Sequence, residues 1–172
     1  MLSDTQNGFE GWLKLEFLMW LSDRRSVAVG GPGADVGLEY KARLDGRSDS
    51  DGDEWKQCDM WIRAPDGLFH YIEFKTPFAN GNAGKMLRGA GADYWYMRRL
   101  RAGYEQAATG SAIVLGVGFD EKRWTTAREH VRGAAGIEPN SPPNRTGLLG
   151  KAIRYDVWTY EYRNRKEPSP AC

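Results

Sequence analysis

The sequence predicts a single α/β domain whose mixed central sheet is flanked by helices, and three observations predict it. A helical apolar pattern opens the chain, two strand-like runs meet at a Pro-Asp-Gly turn, and a second helical pattern leads into a short apolar run. At 172 residues the chain suits one compact body, since such a length buries roughly two-thirds of the surface its unfolded form exposes. The expected domain spans 1–172, with a core over about 9–119, additions over 120–162 and a polar tail over 163–172.

Each element has a local cause. From Phe9 to Leu21 the residues Phe9, Trp12, Leu13, Phe17 and Trp20 recur at helical spacing before Ser22 and Asp23 break the pattern. The glycine-rich run 30–33 interrupts regular structure and leads into a strand over 36–44. Residues 55–63 and 68–75 are rich in aromatic and β-branched types and flank Pro65-Asp66-Gly67. Pro presets the first turn position, Asp supports the second and Gly accepts a left-handed third, which predicts a hairpin with a three-residue loop.

Beyond Pro77, the residues Met86, Ala90, Tyr94, Met97, Leu100, Tyr104 and Ala107 line one side of an expected helix, with Gly89 and Gly91 weakening its first turns. The run 111–119 is continuously apolar and short, as a parallel strand buried on both faces would be. A helix over 122–132, a loop over 137–147 and a last strand over 152–162 complete the reading.

Composition excludes several classes. Hydrophobic residues make up 41% and aromatic residues 12%, an ordinary globular balance rather than a disordered one. The formal charge of +1 gives no global argument for a polyanionic partner. Cys58 and Cys172 are too few and too far apart for a disulfide framework or a zinc cluster, which favours a reducing compartment. The apolar run 12–21 is interrupted by Lys14 and Glu16, so neither a signal peptide nor a membrane span is expected, and the reading is of a cytoplasmic protein. The sequon at Asn144 then carries no weight.

The chemistry concentrates in the hairpin. A three-residue loop places Ala64 opposite Leu68 and therefore Asp59 opposite Glu73, with Cβ atoms about 5 Å apart on one face. Lys75 shares that face, because strand side chains repeat every second residue. Two carboxylates this close repel each other unless a cation lies between them. Hard oxygen donors favour Mg2+ or Mn2+, and Lys75 would sit where it can polarise water or stabilise charge on a phosphoryl transition state. A third acid could come from the first helix, where Glu16 lies four residues from both Trp12 and Trp20; Glu10 and Glu39 are the alternatives.

Asp59, thirteen intervening residues and then Glu73-Phe74-Lys75 on the next strand resemble the PD-(D/E)XK nuclease superfamily, with Cys58 standing where proline is usual. The expected element order, αβββαβ, agrees with its restriction-endonuclease-like core over about 9–119. The resemblance implies that Glu16, Asp59, Glu73 and Lys75 are catalytic, that Asp59, Glu73 and Glu16 hold Mg2+ or Mn2+, and that the substrate is nucleic acid, DNA before RNA. A homodimer is compatible with it. The rival expectation is a catalytically silent member of the fold that binds nucleic acid or a protein.

Lys85, Arg88, Arg98, Arg99 and Arg101 are opposed only by Asp93 within 85–101 and alternate with Tyr94, Trp95 and Tyr96, a pattern suited to a phosphate-facing surface. Three weaker signals are set aside. Residues 79–86 approach a P-loop, but Met86 stands where a Ser or Thr hydroxyl is required. The acidic run at 49, 51 and 53 lacks the glycine and the final acid of a calcium loop. His70 and His130 have no companion ligands.

Overall fold

In the computed structural model, which describes residues 3–25, 28, 35–43, 55–98 and 107–162, the chain runs α1 (Ser3–Arg25), β1 (Val36–Arg43), β2 (Trp55–Arg63), β3 (Phe69–Lys75), α2 (Ala83–Met97), β4 (Ala107–Val117), α3 (Glu121–Ala135), β5 (Arg145–Leu149) and β6 (Ile153–Glu161). The strands form one mixed sheet in the order β1-β2-β3-β4-β6-β5. Strands β1 to β3 are an antiparallel meander, whereas β4 returns parallel to β3 by way of α2, since a parallel neighbour needs a crossover. Strand β6 then pairs antiparallel with β4, and β5 with β6.

The two faces of the sheet are covered differently. Leu18 and Leu21 of α1 pack on Val36, Met60, Ile72 and Phe74. On the opposite face Leu87, Ala90 and Tyr94 of α2 and Trp124, Ala127 and Val131 of α3 close over Ala112, Val114 and Trp158. The alternation along β4 explains this: Ala112 and Val114 point to the α2/α3 layer, Ile113 and Leu115 to the α1 layer. No helix among the described residues is long and apolar enough to cross a membrane.

Two sequence expectations shift. The helical pattern drawn through Ala107 ends at Met97, and Ala107 opens β4; Leu100 and Tyr104 lie outside the described residues. Ala107 is claimed by pairing with Phe69, a long-range contact that periodicity cannot register. The loop expected over 137–147 yields at its end to β5, an edge strand whose exposed Arg145 and Thr146 give no apolar alternation to read. Gly147 lets this edge pass the Tyr155 ring, which a Cβ would meet at 2.6 Å.

The two helical glycines, which local propensity treats alike, separate in the fold. Gly91 sits where α2 crosses α3, and a methyl there would collide with the Val131 carbonyl and approach the Ala134 Cβ to 2.7 Å. At Gly89 nothing lies within 4 Å of an added Cβ. Gly91→Ala is therefore expected to destabilise by about 1–3 kcal/mol, as overpacking does. Gly89→Ala should stabilise by roughly 0.5–1 kcal/mol through helix propensity. Urea midpoints moving in opposite directions would bear this out; a shared direction would refute the crossing argument.

Candidate active site

The hairpin loop behaves as its residues dictate. Ala64 N–H donates to Leu68 O at 2.8 Å, Gly67 N–H returns to Ala64 O at 2.8 Å, and Gly67 takes φ 80°, the left-handed third position. Register follows: Met60 pairs with Ile72, Trp61 with Tyr71, Ile62 with His70 and Arg63 with Phe69. Asp59 and Glu73 stand just past the last paired residues, Met60 and Ile72. There the Asp59 carboxylate turns into the strand separation and accepts the Phe74 backbone N–H through Oδ2 at 2.8 Å. The Glu73 side chain, 2% exposed, shares a hydrogen bond with it.

Both helical layers reach this point. From α1, the Lys14 ammonium donates to Asp59 Oδ1 at 2.7 Å and lies 3.3 Å from Glu10 Oε1. From α2, Asp93 Oδ2 lies 3.1 Å from Lys75 Nζ. Glu10 and Asp59 both contribute to the field at Lys75, which ties the two halves into one cluster.

Glu16 is outside this cluster. It is exposed, and the core stripe of α1 runs through Leu13, Phe17, Leu18 and Leu21, with Glu10 and Lys14 continuing the same side toward the sheet. Helical spacing from Trp12 and Trp20 turns Glu16 toward the core, but Trp12 is 53% and Trp20 46% exposed. They pack partly along the helix itself, Trp12 against Phe9 and Trp20 against Phe17, so the face between them is the outer one. Of the three acids weighed, Glu10 is the one brought to the site; the side chain of Glu39 lies outside the described residues.

Electrostatics fix the protonation states. Burial pushes the Asp59 carboxyl up, but the hydrogen bonds from Lys14 and Phe74 and the one shared with Glu73 outweigh it and hold Asp59 below its usual range. Burial pushes Lys75 down, and the opposing charges of Asp93, Glu10 and Asp59 more than reverse this, leaving it above the ordinary lysine value. Lys75 is thus an ammonium at neutral pH, and its chemistry is electrostatic rather than that of a neutral base. Because the folded Asp59 value is depressed, its stabilisation is present above the unfolded value of about 3.9 and disappears as pH falls through the folded one. The urea midpoint of Asp59→Asn should accordingly lie below wild type at pH 7, with the gap closing below about pH 4. A gap independent of pH would contradict the charge assignment.

Carboxylate oxygens are the donors that Mg2+ and Mn2+ take. Glu10, Asp59, Glu73 and Asp93 supply such oxygens at this cluster. The donor type fits. The arrangement is nonetheless held by Lys14, and among the described residues no group of three or more His, Cys, Asp or Glu side chains is disposed to hold a metal ion as it stands.

No protein-family model matches this chain, and neither a curated protein nor a solved structure matches it. The functional reading therefore rests on the residues themselves. Lys85 and Arg88 are exposed on α2, in keeping with an outward cationic face. Arg98 is used differently: its guanidinium reaches the Ala135 and Gly136 carbonyls at 3.4 and 3.5 Å, closing the C-terminal end of α3, and stacks over Tyr160. Arg99 and Arg101 lie outside the described residues. Tyr94 is buried in the core, so of the three aromatics only Trp95 is largely exposed. His70 pairs with Thr109 Oγ1 at 2.8 Å.

Sequence reasoning missed Lys14 and Asp93 as members of the cluster. Glu10 and Lys14 do stand at i,i+4, a visible pairing signal, and Asp93 is the single acid among the cations of 85–101. Neither signal says which way its helix faces the sheet.

Proposed function

We propose that this chain is a metal-dependent nuclease of the PD-(D/E)XK kind, hydrolysing phosphodiester bonds in nucleic acid and, by the resemblance, DNA. The observation that carries the reading is the buried Glu73 carboxyl against Asp59 at the end of the hairpin ladder, with Lys75 two residues on and within the field of Asp59. The element order α1-β1-β2-β3-α2-β4, with β4 parallel to β3, supports it, being the order that the resemblance implies.

Asp59 and Glu73 would hold a Mg2+ or Mn2+ ion, with Glu10 as the nearest further acid. Such an ion, when bound, lowers the pKa of a water and neutralises phosphate charge. Lys75, kept protonated and oriented by Asp93, stabilises the charge that develops on the phosphoryl oxygens. Asp59 is itself fixed by the Phe74 amide, so its free rotation is lost before substrate arrives. Lys85 and Arg88 supply phosphate contacts of the kind that position a backbone without reading sequence.

The silent-module reading gains from the Lys14–Asp59 ion pair, which relieves the acid repulsion without a metal. Incubation with plasmid, single-stranded DNA and RNA, each with Mg2+, Mn2+ or chelator, separates the two. Divalent-dependent cleavage of any of these substrates is the expected result, and binding without cleavage would establish the silent module instead.

A further inference from the structure

Lys14 belongs to the acid cluster, yet the nuclease reading gives it no part. Its ammonium engages Asp59 Oδ1 at 2.7 Å and lies 3.3 Å from Glu10. The other oxygen of Asp59 is committed to the Phe74 amide. Oδ1 is the oxygen that Lys14 covers, and an ion bound there must take its place. A lysine ammonium is a compact charge on a flexible four-carbon stem, suited to leave one partner for another without moving the backbone.

We infer that Lys14 is a resident counter-ion that occupies the divalent-cation position of this site and must be displaced from Asp59 for a metal to enter. This rests on the metal-site reading above. Lys14 holds the carboxylates together in the metal-free protein, weakens the apparent affinity for the ion by competing with it, and on displacement carries its positive charge to the mouth of the site. There an incoming phosphate would meet it. It is a positioning residue, acting through Asp59.

Mn2+ binding measured by calorimetry, independent of any cleavage, tests this in wild type, Lys14→Gln, Lys14→Arg and Asp59→Asn. Lys14→Gln should bind Mn2+ about tenfold more tightly than wild type. It should also melt at a lower temperature in chelator and regain the loss with Mn2+. Lys14→Arg, which restores the charge, should bind as weakly as wild type, and Asp59→Asn should bind least. A second measurement uses the unaltered protein: the acetylation rate of Lys14, followed by peptide mass spectrometry, should rise when Mn2+ saturates the site.

Equal Mn2+ affinity in wild type and Lys14→Gln, or an acetylation rate indifferent to Mn2+, would overturn the counter-ion role and leave the nuclease reading standing. Tighter binding by Lys14→Gln without cleavage of any nucleic acid would uphold the role and remove the nuclease. Absence of Mn2+ binding in all four proteins would remove both.

Discussion

Asp59→Asn should reduce divalent-dependent cleavage by about 10³-fold, an activation cost of ~4 kcal/mol. The amide oxygen can still accept the Phe74 N–H, so the strand separation is retained, but the charge that would bind the ion is gone. Lys75→Met should cost roughly 10²–10³-fold, the range for losing one group aimed at developing charge. The companion comparison concerns the helix acids. Glu10→Gln should impair cleavage and Glu16→Gln should not, because Glu10 faces Lys14 and the sheet while Glu16 faces solvent. Initial rates under saturating Mn2+, with circular dichroism as the check on folding, measure all four. Full activity in Asp59→Asn would remove the site, and dependence on Glu16 rather than Glu10 would show that α1 turns its other side to the substrate.

Arg128→Met should destabilise the protein by about 3–5 kcal/mol, the cost of stripping one partner from a buried ion pair. Asp156, on β6, is fully buried and receives both Arg128 Nε at 2.7 Å and Nη2 at 2.9 Å, a bidentate fork from α3. Arg128 also reaches Thr146 on β5, so one guanidinium joins α3 to the last two strands. The pairing holds Arg128 above its ordinary value; the hydrogen bonds to Asp156 dominate, burial opposes them and the Asp156 charge adds to them. The double variant Arg128→Met/Asp156→Leu should recover most of the loss, because it removes the stranded charge along with its partner. Chemical denaturation of the three variants against wild type gives the numbers. A single-variant loss under about 1 kcal/mol would mean that water reaches Asp156 and that the pair is no structural tie.

The hairpin was the most legible part of the chain. Turn types are chosen by residues next to one another, and a side-chain period of two then carries the register outward, so Pro65-Asp66-Gly67 was enough to set Arg63 against Phe69 and Met60 against Ile72. The parallel setting of β4 was readable for a similar reason, from an apolar run too short for a helix and too continuous for a half-exposed strand. The orientation of α1 was not. An amphipathic pattern with tryptophans on both sides admits two rotations, and the one adopted is set by the Met60, Ile72 and Phe74 surface against which Leu18 and Leu21 pack.

The sequence by itself therefore determined the order of the elements as far as α3 and the register of the hairpin, because both depend on contacts short in sequence. Tertiary structure alone decided that Glu10 rather than Glu16 approaches the site, that Lys14 covers Asp59 and that Asp93 anchors Lys75. It likewise decided that Arg98 closes a helix instead of facing outward. These turn on the rotation of helices about their axes, a choice that local propensity leaves nearly degenerate and that packing across the sheet resolves.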